Sequence, residues 1–164
     1  SDCVDSLSVR TFTSDTTQAV LEKFDFSLDT GLLTLYFSET VNGSSIAVSK
    51  FRIQSTKTSS LHSYVLTTSN HSTLFDTVQT VQFSNADFDG IVKDFTLAIS
   101  QSSSFLSLAT GAIYDMNRNS VVQILPTDAQ QATAYFPDLS PPRVLQFDFT
   151  LDVGKIFLLF SETT

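Results

Sequence analysis

The sequence predicts an all-β fold: a β-sandwich with one short helix, set in a tandem array. Three observations lead there. Apolar and polar residues alternate at period two through most of the chain, as strands with one buried face require. Segments rich in Ser and Thr separate the alternating runs, in the manner of turns between many short strands. And one stretch is written twice. FDFSLDTGLLTLYFSETV at 24–41 returns as FDFTLDVGKIFLLFSETT at 147–164, with 11 of 18 aligned positions identical and an offset of 147 − 24 = 123 residues. A period of that size is a domain, too long for one turn of a solenoid.

Read in order, residues 1–15 are expected to be the tail strand of a preceding repeat. Residues 16–138 form a complete repeat, and 139–164 the first hairpin of the following one. The second copy has shown only its first two strands by Thr164, so the chain reads as a window onto a longer array. In the complete repeat, Phe24, Phe26 and Leu28 alternate with Asp25 and Ser27, and Leu33, Leu35 and Phe37 continue the pattern. Asp29-Thr30-Gly31 between them is a turn, with glycine where a tight hairpin demands positive φ. The second copy keeps Asp152-Val153-Gly154 and the apolar positions Phe147, Phe149, Leu151, Ile156, Leu158 and Phe160. Further strands are predicted at 50–54, 63–68, 78–83, 95–99, 105–108, 121–125 and 132–136. Ser84 caps a helix with Asp87 three residues on. Phe88, Ile91, Val92 and Phe95 follow at helical spacing, so about two turns should cross between the sheets. Pro137, Pro141 and Pro142 make the 137–142 junction short and stiff.

Composition narrows the function classes. Charge sums to 9 − 17 = −8, with no basic stripe for a nucleic acid or an anionic lipid surface. No run of 18 apolar residues is present, so no helical membrane insertion is expected. Charged residues are only 16 %, and polarity comes instead from Ser and Thr, which suits an extracellular or cell-surface β-protein. Cys3 is the single cysteine, so a disulfide from it needs a partner outside this segment.

The first hairpin, its Asp-x-Gly turn and the Phe37-Ser38-Glu39-Thr40-Val41-Asn42 stretch resemble bacterial-type (S-layer-like) Ig-like repeats. Asp115-Met116-Asn117-Arg118-Asn119-Ser120-Val121-Val122 is similar to the closing turn of those repeats, with Arg118 where glycine is usual. Asp138-Leu139-Ser140-Pro141-Pro142 is similar to their junctions. The resemblance implies an Ig-like sandwich in a large secreted or surface protein, among them adhesins, matrix proteins and protist or algal surface filaments (mastigoneme-like). It implies no catalytic residues.

Motifs that could carry chemistry are few. Asn42-Gly43-Ser44 and Asn70-His71-Ser72 are glycosylation sequons in expected loops. Asp115, Asn117 and Asn119 echo a calcium loop, but position six is Ser120 and position twelve Pro126, so the strict motif fails. Glu39 and Glu162 recur at the end of the second strand. They could mark a calcium site between domains with Asp25, Asp29 or Asp138, or simply accept N–H groups of the following turn. His62 and His71 sit in Ser-rich loops with no nucleophile or zinc motif around them. Tyr36, Tyr64 and Tyr114 are candidates for stacking on sugars or for strand assembly. No enzyme activity and no cofactor are therefore expected. The expected role is a structural module that builds a filament, coat or stalk by end-to-end and lateral packing. Its partners would be neighbouring repeats, other copies and glycans. An adhesin or carbohydrate-binding module is the alternative.

Overall fold

The computed structural model describes residues 8–58 and 61–161. The chain is mostly β. The strands are β1 (Leu21–Ser27), β2 (Leu32–Asn42), β3 (Phe51–Gln54), β4 (Ser63–Val65), β5 (Asn70–His71) and β6 (Phe75–Gln82). Helix α1 (Asn85–Val92) follows, and then β7 (Phe105–Leu108), β8 (Tyr114–Asp115), β9 (Gln130–Gln131), β10 (Ala134–Phe136), β11 (Val144–Thr150) and β12 (Lys155–Phe160). One sheet runs β10-β1-β2-β6-β5, with β8 joining β2 beyond the reach of β1; a second runs β4-β3-β7-β9; β11 and β12 pair only with each other. All pairings are antiparallel except β1 with β10.

Period-two alternation explains the core. Phe24, Phe26, Leu33 and Leu35 from the first sheet and Phe51, Ile53, Leu106 and Leu108 from the second belong to one buried cluster. Two sheets sharing one core is the layering of a β-sandwich. Each such side chain, fully buried, contributes about 1.5–3 kcal/mol of hydrophobic stabilisation. Helix α1 lies in the chain between β6 of one sheet and β7 of the other, as its spacing predicts. Its cap is Ser84, whose Oγ accepts the Asp87 N–H, and its apolar side delivers Ile91 to the core.

Several expected strands differ. Residues 95–99 form turns: Ala98 has φ 52°, outside the extended region, and Phe95 is 85 % exposed while Leu97 and Ala98 are buried. The segment 121–125 touches β7 through one bridge, Leu108 to Ile124, without extending into a ladder. The strand expected at 63–68 stops at Val65, because residues 67–69 turn aside to bind Asp87. Among residues 8–20 no strand forms; that part of the tail expected at 1–15 has no ladder partner.

Candidate functional site

The second hairpin reproduces the first, residue by residue, at the 123-residue offset. In β1–β2, Phe24 faces Leu35, Phe26 faces Leu33 and Ser27 faces Leu32; in β11–β12, Phe147 faces Leu158, Phe149 faces Ile156 and Thr150 faces Lys155. The register slips once in each, between Leu21 and Lys23 and between Val144 and Gln146. The turn glycines Gly31 and Gly154 have φ 63° and 60°. The open ends are tied alike. Val20 N–H donates to Ser38 Oγ and Arg143 N–H to Ser161 Oγ, each at 3.0 Å. The segments ahead of the two hairpins match as well: Thr17 N–H donates to Asp15 Oδ1 and Ser140 N–H to Asp138 Oδ1, each at 2.9 Å.

The two copies differ in what covers them. The first is flanked within its sheet by β10 and β6 and shares its core with the second sheet. Among the described residues the second has no strand on either edge, and its inward-equivalent residues Phe147, Phe149, Ile156 and Leu158 are 53–69 % exposed, with Phe160 half-buried. A cleft of about 670 Å³ separates its Leu159–Ser161 end from the β1–β2 turn and α1 of the covered unit, with Asp29, Asp89 and Asp138 on its walls.

A polar knot ties residues 15–17 to the 115–119 turn. Asp115, on β8, is 4 % exposed and accepts the N–H groups of Asn117 and Asn119 on Oδ1 and the Asn119 amide on Oδ2. The same Asn119 Nδ2 donates to the carbonyls of Asp15 and Thr17, both at 3.2 Å. Arg118 stands in the turn with φ 68°, the left-handed conformation glycine would take without strain. Asp115 thus closes the 115–119 turn on itself through Asn117 and Asn119. Glu39 sits close by. Its Oε1 is buried without a hydrogen-bond partner, and its carboxyl is pushed up by desolvation first and then by the charges of Asp15 and Asp115. The acids near Glu39 are therefore Asp15 and Asp115. Of the partners expected for it, Asp25 accepts the Tyr36 hydroxyl, and Asp29 and Asp138 line the cleft beyond the opposite end of β2. Asp15 is the 123-residue counterpart of Asp138, but nothing local in the sequence places it beside Glu39. Among the described residues no group of three or more His, Cys, Asp or Glu is disposed to hold a metal ion.

Asp87 is the other buried acid. It is 0 % exposed and accepts five hydrogen bonds, from the Tyr64, Thr67 and Ser69 hydroxyls and the N–H groups of Thr67 and Thr68. Burial alone pushes its carboxyl up. The Ser69 and Thr67 donors and the backbone N–H groups outweigh that, and hold it well below the usual carboxylate range. Its work is structural: it pins α1 to the 67–69 turn.

The remaining candidates are dispersed. Asn70 is exposed on the edge strand β5, opposite Gln82. Asn42 is half-buried at the end of β2, between Phe75 of β6 and Tyr114 of β8. Phe75 escaped sequence reasoning, because only the register places it there. Tyr36 lies on the outer face with the Lys23 ammonium 4.4 Å from its ring centre, and Tyr64 is committed to Asp87. His62 Nδ1 is 2.8 Å from Asp94 Oδ2, and His71, expected in a loop, lies on strand β5 opposite Val81 with its Nδ1 3.0 Å from the Ser72 carbonyl. Cys3 and Glu162 lie outside the described residues. No helix among the described residues is long and apolar enough to cross a membrane. Compared with family models, curated proteins and solved structures, the chain matches none.

Proposed function

We propose that this chain is a stretch of an extracellular structural array. In this reading Ig-like sandwich units stand in series and build a filament, coat or stalk by end-to-end and lateral packing. One observation carries it: β11–β12 repeats β1–β2 in register, bulge, turn and closing hydrogen bonds, yet exposes the face that the first copy buries. A hairpin in that state is an unfinished sandwich, and a unit like 16–138 finishes it. The junctions support a stiff series. Asn119 clamps the carbonyls of the 15–17 turn, and the equivalent 138–140 turn is followed by Pro141 and Pro142. The polar groups gathered in the fold serve turns and junctions, which suits a building unit.

The unit's length follows from its longest strand. Eleven residues in β2, at ~3.4 Å each, give an axial spacing of roughly 40 Å. Electron microscopy of the native, secreted material tests the reading. Regular units at that spacing are expected. An irregular, freely jointed string, or a protein that stays inside the cell, overturns it.

A further inference from the structure

Asn42 occupies an unusual place. The end of β2 is paired on both sides, so Asn42 lies directly between Phe75 on β6 and Tyr114 on β8. Residues opposite each other on neighbouring strands project to the same face, and strands lie ~4.8 Å apart. The two aromatic residues therefore stand on that face about 10 Å apart, one on each side of the asparagine. Both are unusually open for their type: Phe75 is 60 % exposed and Tyr114 37 %. The next position inward, Val41, is buried, so Asn42 faces outward with the two rings.

The amide is disposed for modification. Its Oδ1 accepts the Ser44 N–H at 3.0 Å, and Nδ2 donates to no described residue. An N-glycosidic bond uses Nδ2 alone, so the cap on Ser44 survives it. The other sequon differs. Asn70 is opposite Gln82 on a strand paired along one side only, with no ring across from it.

We propose that Asn42 carries an N-linked glycan whose first N-acetylglucosamine lies between the Phe75 and Tyr114 rings. This rests on the extracellular reading only in requiring passage through a secretory pathway. The donor is a lipid-diphosphate-linked oligosaccharide. The bond from Asn42 Nδ2 to the anomeric carbon forms as the anomeric C–O bond to diphosphate breaks. The lipid diphosphate leaves with that electron pair, and Nδ2 gives up one proton. The C–H face of the sugar then covers aromatic surface otherwise left to water, through dispersion and apolar burial.

The test places a secretory leader before the full chain in a eukaryotic host. Intact mass is read with and without enzymatic deglycosylation for the parent, Asn42→Gln and Asn70→Gln. Asn42→Gln is expected to lose one glycan mass. Trimmed to a single N-acetylglucosamine, the parent should show sugar protons moved upfield by the rings. It should also melt about 2–4 °C above the same chain made without glycan. Phe75→Ala should reduce both effects, the melting gain being compared with that of the same variant made without glycan, and Phe75→Ala together with Tyr114→Ala should abolish them. A folded, secreted chain unmodified at Asn42 overturns the proposal. So does a modified chain with ordinary sugar shifts and no gain in melting temperature. Because the leader directs the chain outward in any case, these results stand apart from whether the native material forms a regular array.

Discussion

The two hairpins carry nearly the same inward side chains in the same register, and one is buried while the other lies open. Phe24, Phe26, Leu33 and Leu35 are fully buried, whereas their counterparts Phe147, Phe149, Ile156 and Leu158 are more than half exposed; Phe37 is 4 % exposed and its counterpart Phe160 half-buried. Turn, bulge and closing hydrogen bonds are local properties and recur in both. Burial is a non-local property, supplied to the first copy by residues 43–136. The differences between copies point the same way. The inward pairs stay apolar, Leu33 becoming Ile156, while the outward Thr34 and Tyr36 become Phe157 and Leu159. The inward face keeps its apolar character in both copies, and the outward face differs.

The largest expected effect breaks the symmetry outright. Phe26→Ala should cost about 3–5 kcal/mol of unfolding free energy, and Phe149→Ala within about 0.5 kcal/mol of nothing. Urea denaturation of the two variants measures both. Equal costs would mean the second hairpin is already covered.

Next comes the body that does the covering. Asp87→Asn should cost about 2–3 kcal/mol, since the Thr67 and Thr68 N–H groups and three hydroxyls lose a charged acceptor. Its depressed carboxyl adds a pH signature. The contribution is present above the unfolded carboxylate value of ~3.9 and is lost as pH falls through and below it. Stability measured between pH 6 and pH 2 should fall more steeply for the parent than for Asp87→Asn, and β1–β2 amides should lose protection while β11–β12 amides stay as they were.

Smaller again is the turn comparison. A Cβ on Gly31 would meet Gln82 Nε2 at 3.3 Å and the Phe88 ring at 3.5 Å, while one on Gly154 meets nothing within 4 Å. Gly31→Ala should cost about 1–2 kcal/mol, and Gly154→Ala should leave the unit's denaturation midpoint in place. The smallest effect is a gain: Arg118→Gly, relieving a left-handed arginine, should stabilise the unit by about 0.5–1 kcal/mol in the same assay.

What could be read in the sequence was what the chain decides locally. The Gly31 turn, the Ser84 cap and the inward face of β1–β2 all depend on neighbours within a few residues. Phe95, Leu97 and Ile99 misled for the same reason. Their alternation suggests one face of a strand, but the left-handed Ala98 turns the chain and leaves Phe95 and Ile99 outside. The gathering of Asp15, Glu39 and Asp115 was out of reach, as was the seat of Asn42 between Phe75 and Tyr114. Each joins residues more than 20 positions apart through sheet register, which no short window of sequence specifies.

The most direct measurement grafts residues 143–161 in place of residues 20–38 and follows unfolding of the whole chain. If the second hairpin opens another copy of the same unit, the graft should fold cooperatively and lose no more than about 2 kcal/mol, the scale of volume-conserving core exchanges. A chimera that is unfolded, or compact without a cooperative transition, would contradict the account.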